Sequence, residues 1–103
     1  MASFQNHTAN IAIQFVPLHM AGDSSFAIVD VAIQAIKDSG LPYVVGAYET
    51  VVEGPYDALL KLVTDMQTAC YSAGAIEAIL NIKLHTSAVS DVLIQDKIAK
   101  YPQ

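Results

Sequence analysis

The sequence predicts an α+β sandwich with its elements in the order β-α-β-β-α-β, and three observations carry that reading. Two segments with helical apolar spacing, residues 26–37 and 56–73, each lie between shorter runs of strand formers. The two middle runs, Tyr43 to Gly46 and Tyr48 to Glu53, are separated only by a short turn at Gly46-Ala47. A turn of hairpin length pairs them antiparallel and disfavours a doubly wound parallel sheet. The two β-α-β halves are also similar in length, which is the plan of a ferredoxin-like sandwich with an antiparallel sheet. In that plan strands one and three are central, and strand four lies beside strand one.

Each element has a local reason. Residues 1–9 form a polar lead-in without periodicity, expected to be flexible. Strand one is read over Ile11 to Val16, where Pro17 stops it. Leu18 to Ser24 carries Gly22, Asp23 and Ser24, the chemistry of a loop and a helix start. The first helix places Val29, Ala32, Ile33 and Ile36 at helical spacing and stops at Ser39-Gly40. Ile28, Val31 and Ala35 widen its apolar stripe beyond what one sheet requires, and a subunit contact is expected there. Pro42 restarts the extended chain. Gly54-Pro55 opens the second helix, with Pro55 suited to a first turn and Asp57 near the positive end of the helix dipole. Leu59, Leu62, Val63, Met66, Ala69 and Cys70 form its core face, and Gly74 follows its end. Ile76 to Leu84 reads as strand four. An extra amphipathic helix is expected from Ser90 to Tyr101, ended by Pro102, so residues 1–103 form one domain.

Composition sets the partners. The chain is 53% hydrophobic and 15% charged, with net charge −5, five lysines and no arginine. Ordinary domains carry about 25% charge. A monomer of this mass exposes roughly 5,600 Å², which leaves one formal charge per about 370 Å². A homo-oligomer, dimer or tetramer, would cover the surplus apolar surface. Abundant Ile, Val, Leu and Ala exclude disorder. An acidic chain without arginine is not built to neutralise nucleic-acid phosphates or to grip a phosphate bidentately. The lone Cys70 permits no internal disulfide and suits a reducing cytoplasm. The stretch before Asp23 lacks a basic segment, and no apolar run reaches membrane length, so no membrane partner is expected.

Period-two alternation sorts the sheet into faces. Leu80, Ile82 and Leu84 point toward the helices, leaving Asn81, Lys83 and His85 on the open face. Ile11, Ile13 and Phe15 point inward and Gln14 outward. Tyr48, Thr50 and Val52 share one side, and Glu49 and Glu53 are placed on the open one. This polar set has two readings: a solvated surface, or a surface covered near Tyr48-Glu49-Thr50 by a second subunit and lining a pocket. Metal and catalytic chemistry find little support. His7, His19 and His85 lack metal-ligand spacing, and Cys70 lies on a core face. Glu49 and Glu53 stand about 13 Å apart at strand rise, and no nucleophile elbow, P-loop or dinucleotide fingerprint occurs. No catalytic residue, metal or cofactor is expected.

The hairpin Tyr43-Val44-Val45-Gly46 followed by Thr50-Val51-Val52-Glu53-Gly54 resembles that of the YkoF-like thiamine- and hydroxymethylpyrimidine-binding proteins. The strand ending at Val16-Pro17, the helix ending Lys37-Asp38-Ser39-Gly40 and the last helix ending Asp96-Lys97-Ile98-Ala99-Lys100-Tyr101 extend the resemblance over residues 11–101. It implies a ferredoxin-like fold, dimers or tetramers, and binding of thiamine or its pyrimidine half without catalysis. Thr50, Glu53 and Gly54 match the family motif directly. With Thr50 from the motif, chemistry adds Gln14, Tyr43, Tyr48, Glu49 and Asn81 to complete an expected ligand set. Glu49 suits the exocyclic amine or the thiazolium cation, Gln14 and Asn81 suit ring nitrogens, and Tyr43 and Tyr48 offer aromatic faces. The alternative reading is a structural or regulatory oligomerisation domain without a small ligand.

Overall fold

Alternation along the first strand puts Ala9, Ile11, Ile13 and Phe15 on one face, and all four are buried. The computed structural model, which describes residues 3–102, builds the rest of the molecule around them. Its strands are β1 (Thr8–Pro17), β2 (Tyr43–Val45), β3 (Thr50–Pro55) and β4 (Ala78–His85), and its helices are α1 (Asp23–Asp38), α2 (Tyr56–Ser72) and the short α3 (Ile94–Ile98). The sheet is antiparallel throughout, in the order β2-β3-β1-β4. This is the expected ferredoxin-like sandwich, with β1 and β3 central. Ile28, Ala32 and Ile36 of α1 meet Leu59, Leu62, Met66 and Cys70 of α2 and Val52 of β3 in a single core. Gly54 belongs there for want of a side chain: a Cβ on it would lie 3.0 Å from Leu41 Cδ2.

The wide stripe of α1 is partly used within the chain itself. Ile28, placed in the expected subunit contact, is core, whereas Val31 and Ala35 are only partly buried against that core. A helix in a two-helix layer contacts its neighbouring helix as well as the sheet, so its stripe must be broad. The Cys70 thiol of α2 accordingly sits 3.7 Å from the Ile28 carbonyl oxygen.

Near both ends the described residues depart from what periodicity suggests. Met1 and Ala2 of the expected lead-in lie outside the described residues. The remainder contains a 3-10 turn, Phe4–Asn6, whose cap is Ser3 Oγ accepting from the Gln5 amide at 3.2 Å. The Phe4 ring meets Tyr56 edge-on at 5.0 Å, and β1 begins at Thr8, three residues early. The polar Thr8 and Asn10 hide this start in the sequence, because their open-face partners come from the far C-terminus. Thr8 N–H donates to Asp91 Oδ1 at 2.8 Å, and Val92 N–H donates to the Thr8 carbonyl at 2.8 Å. Asn10 Nδ2 donates to the Val92 carbonyl at 2.9 Å, and Ile94 N–H donates to Glu53 Oε1 at 2.7 Å. Residues 91–94 thus strap one end of the open face, and the expected last helix shrinks to Ile94–Ile98.

The molecule is flat, 45 × 34 × 21 Å, and its described residues expose 6445 Å². That exceeds the roughly 5,600 Å² of an ordinary monomer of this mass. Edge strand β4 overhangs the helical layer, so Ile82 and Leu84, though on the helix side, remain exposed.

Candidate functional site

Opposite the strap, the two central strands part company. Pairing of β1 with β3 ends at Ile13↔Thr50, whereas pairing of β1 with β4 continues to Pro17↔Ala78. The β2–β3 connection, residues 46–49, bends away at this point. Its Gly46 N–H donates to the Glu49 carbonyl at 2.9 Å, and a Cβ on Gly46 would come within 2.8 Å of that oxygen. Only glycine closes the turn without displacing Glu49.

The divergence opens a cleft of about 370 Å³ between β1, the hairpin turn and α1. Its apolar walls include Phe15, Val29, Ile33 and Val45, and Phe26 and Tyr48 line it while remaining largely solvent-exposed. Thr50 is buried on the helix-facing side of β3 and lines the cleft as well. The Glu49 side chain lies 3.1 Å from Lys83 Nζ, an ion pair on the open side of the sheet.

Four of the six expected ligand residues line this cleft, Gln14, Tyr48, Glu49 and Thr50, although the side chains of Gln14 and Glu49 engage Asn81 and Lys83 on the open face. Tyr43 and Asn81 do not line it. Tyr43 sits on edge strand β2 opposite Val52, and Asn81 sits on β4 opposite Gln14. Asn81 Nδ2 donates to Gln14 Oε1 at 3.1 Å, so the two amides engage each other on the open face. Glu53, the motif residue beside this set, is occupied in holding Ile94. The open face is also less polar than expected: Val16, Ile79, Val44 and Val51 share it with the polar side chains.

Val29 and Ile33 read from spacing only as a helical apolar stripe, and Phe26 only as the start of the helix. Their spacing is the same whether a helix face meets a packed sheet or a cleft, so only the gap in strand pairing separates the two. Elsewhere, burial pushes the Cys70 thiol above its ordinary range, in keeping with a packed side chain. Among the described residues no group of three or more His, Cys, Asp or Glu is placed to hold a metal ion, and no helix is long and apolar enough to cross a membrane.

Fold and cleft together define a ferredoxin-like sandwich with a concavity of small-molecule size at one end of its sheet. The chain belongs to the thiamine-binding protein family, whose model matches residues 11–102. A UPF0045 protein of Clostridium perfringens is 31% identical over 94 residues, which span 91% of this chain and 97% of that one. The solved structure of a domain of unknown function from Bacillus cereus is 38% identical, with TM-score 0.86 over 94% of this chain and 92% of that one. A Thermotoga maritima structure, described as a candidate thiamine biosynthesis/salvage protein, has TM-score 0.84 over 92% of this chain and 99% of that one. At 24% identity that likeness concerns the fold alone. The family and the fold expected from the hairpin motif are those found.

Proposed function

We propose that this protein binds thiamine or its hydroxymethylpyrimidine half, without catalysis, in the cleft beside the β2–β3 turn. The observation that carries the reading is the convergence of Tyr48, Glu49 and Thr50 on one apolar-walled cleft in a member of the thiamine-binding family. A volume of about 370 Å³ lies within the usual range for small-molecule sites, roughly 300–1,000 Å³. The ligand's two halves find different surroundings. The aminopyrimidine meets apolar walls and the Thr50 hydroxyl, and the thiazolium cation meets the Glu49 carboxylate and the Tyr48 ring. Without arginine, the chain favours free thiamine over its diphosphate.

A homo-oligomer in the cytoplasm belongs to the same proposal. Val44, Ile79, Ile82 and Leu84 leave apolar surface exposed on both edge strands, and Phe26 and Tyr48 leave the cleft mouth open. A second copy would cover such surface. That exposed surface also favours a second reading, an assembly domain whose oligomer forms with no ligand at all.

Isothermal titration with thiamine and with hydroxymethylpyrimidine separates the readings, run beside a native-mass measurement. Saturable heat with either compound supports the binder. An intact oligomer with neither heat nor thermal shift favours the assembly domain.

A further inference from the structure

The far end of β1 is a strand edge left open inside a cleft. Along a strand the N–H and C=O of one residue point to the same neighbour, and successive residues alternate sides. Residues 14–16 of β1 pair with β4 but have no partner on β3, whose register stops at Ile13↔Thr50. At least one of the three therefore turns a main-chain donor and a main-chain acceptor into the space that β3 vacates. Gln14 and Phe15 line the cleft at that point. Main-chain polar groups removed from water require partners, so a ligand entering here must supply them or forfeit binding free energy.

The two halves of thiamine differ in this respect. An aminopyrimidine carries an acceptor nitrogen next to an exocyclic amine donor along one planar edge, the complement of a strand edge. A thiazolium has no N–H donor and carries a fixed positive charge. We infer that the pyrimidine half enters the cleft first and pairs edge-on with the β1 main chain at residues 14–16, leaving the thiazolium at the mouth beside Glu49 and Tyr48. This rests on the reading that the cleft takes thiamine with its pyrimidine half inward, and goes beyond it by assigning recognition of that half to the β1 backbone. It is strand addition on the scale of one ring. Phe26, Val29 and Ile33 of α1 and the hairpin turn line the same cleft.

The test is an amide NMR titration of the full-length ¹⁵N-labelled protein with hydroxymethylpyrimidine, and separately with the hydroxyethylthiazole half of thiamine. Hydroxymethylpyrimidine should move an amide within 14–16 downfield and slow its hydrogen exchange about tenfold, the scale of one net hydrogen bond. The thiazole half should bind at least about tenfold more weakly and leave that amide unchanged. Saturable shifts at Tyr48, Glu49 and Thr50 with residues 14–16 unmoved would overturn the backbone pairing and leave the cleft as the binding site. Tighter binding of the thiazole half would overturn the direction of entry. No saturable shift with thiamine or either half would overturn this inference and the binding function together.

Discussion

Lys83 Nζ stands 3.1 Å from Glu49 Oε1, so a side chain of β4 reaches across β1 to the base of the hairpin turn. The residue it passes over is Ala12, its register partner on β1, whose methyl group leaves the path clear. The pair is solvent-exposed, more so on the lysine side, and exposed pairs contribute only about 0–1 kcal/mol to stability. Its consequence lies in the ligand. In the proposed complex Lys83 would offset the carboxylate that faces the thiazolium, so Lys83→Met should raise thiamine affinity by up to about fivefold, and Glu49→Gln should lower it by a similar factor. Uncharged hydroxymethylpyrimidine should respond to neither. Calorimetric titration of both variants with both compounds at low salt checks this, and equal effects on the two compounds would remove charge as the cause.

Gly46→Ala tests the turn. The added Cβ would sit 2.8 Å from the Glu49 carbonyl oxygen, a contact that must be relieved by moving backbone. The expected cost is about 1–3 kcal/mol in urea unfolding, the usual span for a backbone-disrupting change. Because Tyr48 and Glu49 ride on the same turn, ligand affinity should fall with it. An unchanged urea midpoint would mean that the turn tolerates the shift.

The strap at the opposite end depends on a charge-assisted hydrogen bond. Glu53 Oε1 accepts from Ile94 N–H at 2.7 Å, and bonds to charged groups contribute roughly 1.5–3 kcal/mol. Glu53→Ala should destabilise the protein by about that amount and speed amide exchange at Ile94, whereas Glu53→Gln, which keeps an acceptor oxygen, should recover most of the loss. Amide exchange across residues 91–94 in the two variants provides the measurement. Cleft affinity should not change, because Glu53 does not line the cleft.

Cys70 gives the pH dependence a direction. Burial raises the thiol pKa in the folded state, so the folded chain holds its proton at pH values where the unfolded chain releases it. Stability from this residue is complete below the unfolded thiol pKa, falls as pH rises above it, and stops falling once pH passes the raised folded value. Urea midpoints between neutral and strongly alkaline pH should therefore fall more steeply for the native chain than for Cys70→Ala. Parallel slopes would show that the thiol does not contribute. Below that range the thiol should also resist alkylating reagents until the protein unfolds.

Much of the fold was legible because apolar spacing and turn chemistry agree. Ile11, Ile13 and Phe15 alternate, the hairpin is short, and Pro55 stands at the start of α2, so strand order and helix positions follow from local rules. What was not legible depends on partners distant in sequence. Thr8 looks like lead-in and Asn10 falls just outside the expected strand until Asp91 and Val92 arrive 80 or more residues later, and the broad stripe of α1 is met in part by α2. The cleft shares this character. Tyr48, Glu49 and Thr50 could be named from side-chain chemistry and motif, but the gap beside Gln14 is a property of register and carries no residue signature. Alternation alone puts Asn81 on the face turned away from the helices, where it meets Gln14.

A crystal structure of the protein with hydroxymethylpyrimidine bound tests the central claim most directly. The predicted result is a pyrimidine ring between β1 residues 14–16 and the turn at 46–49, edge-on to the β1 main chain, with Thr50 beside it and Phe26 and Tyr48 at the mouth. A ring on the open face against Gln14 and Asn81, or no bound ligand at saturating concentration, would contradict it.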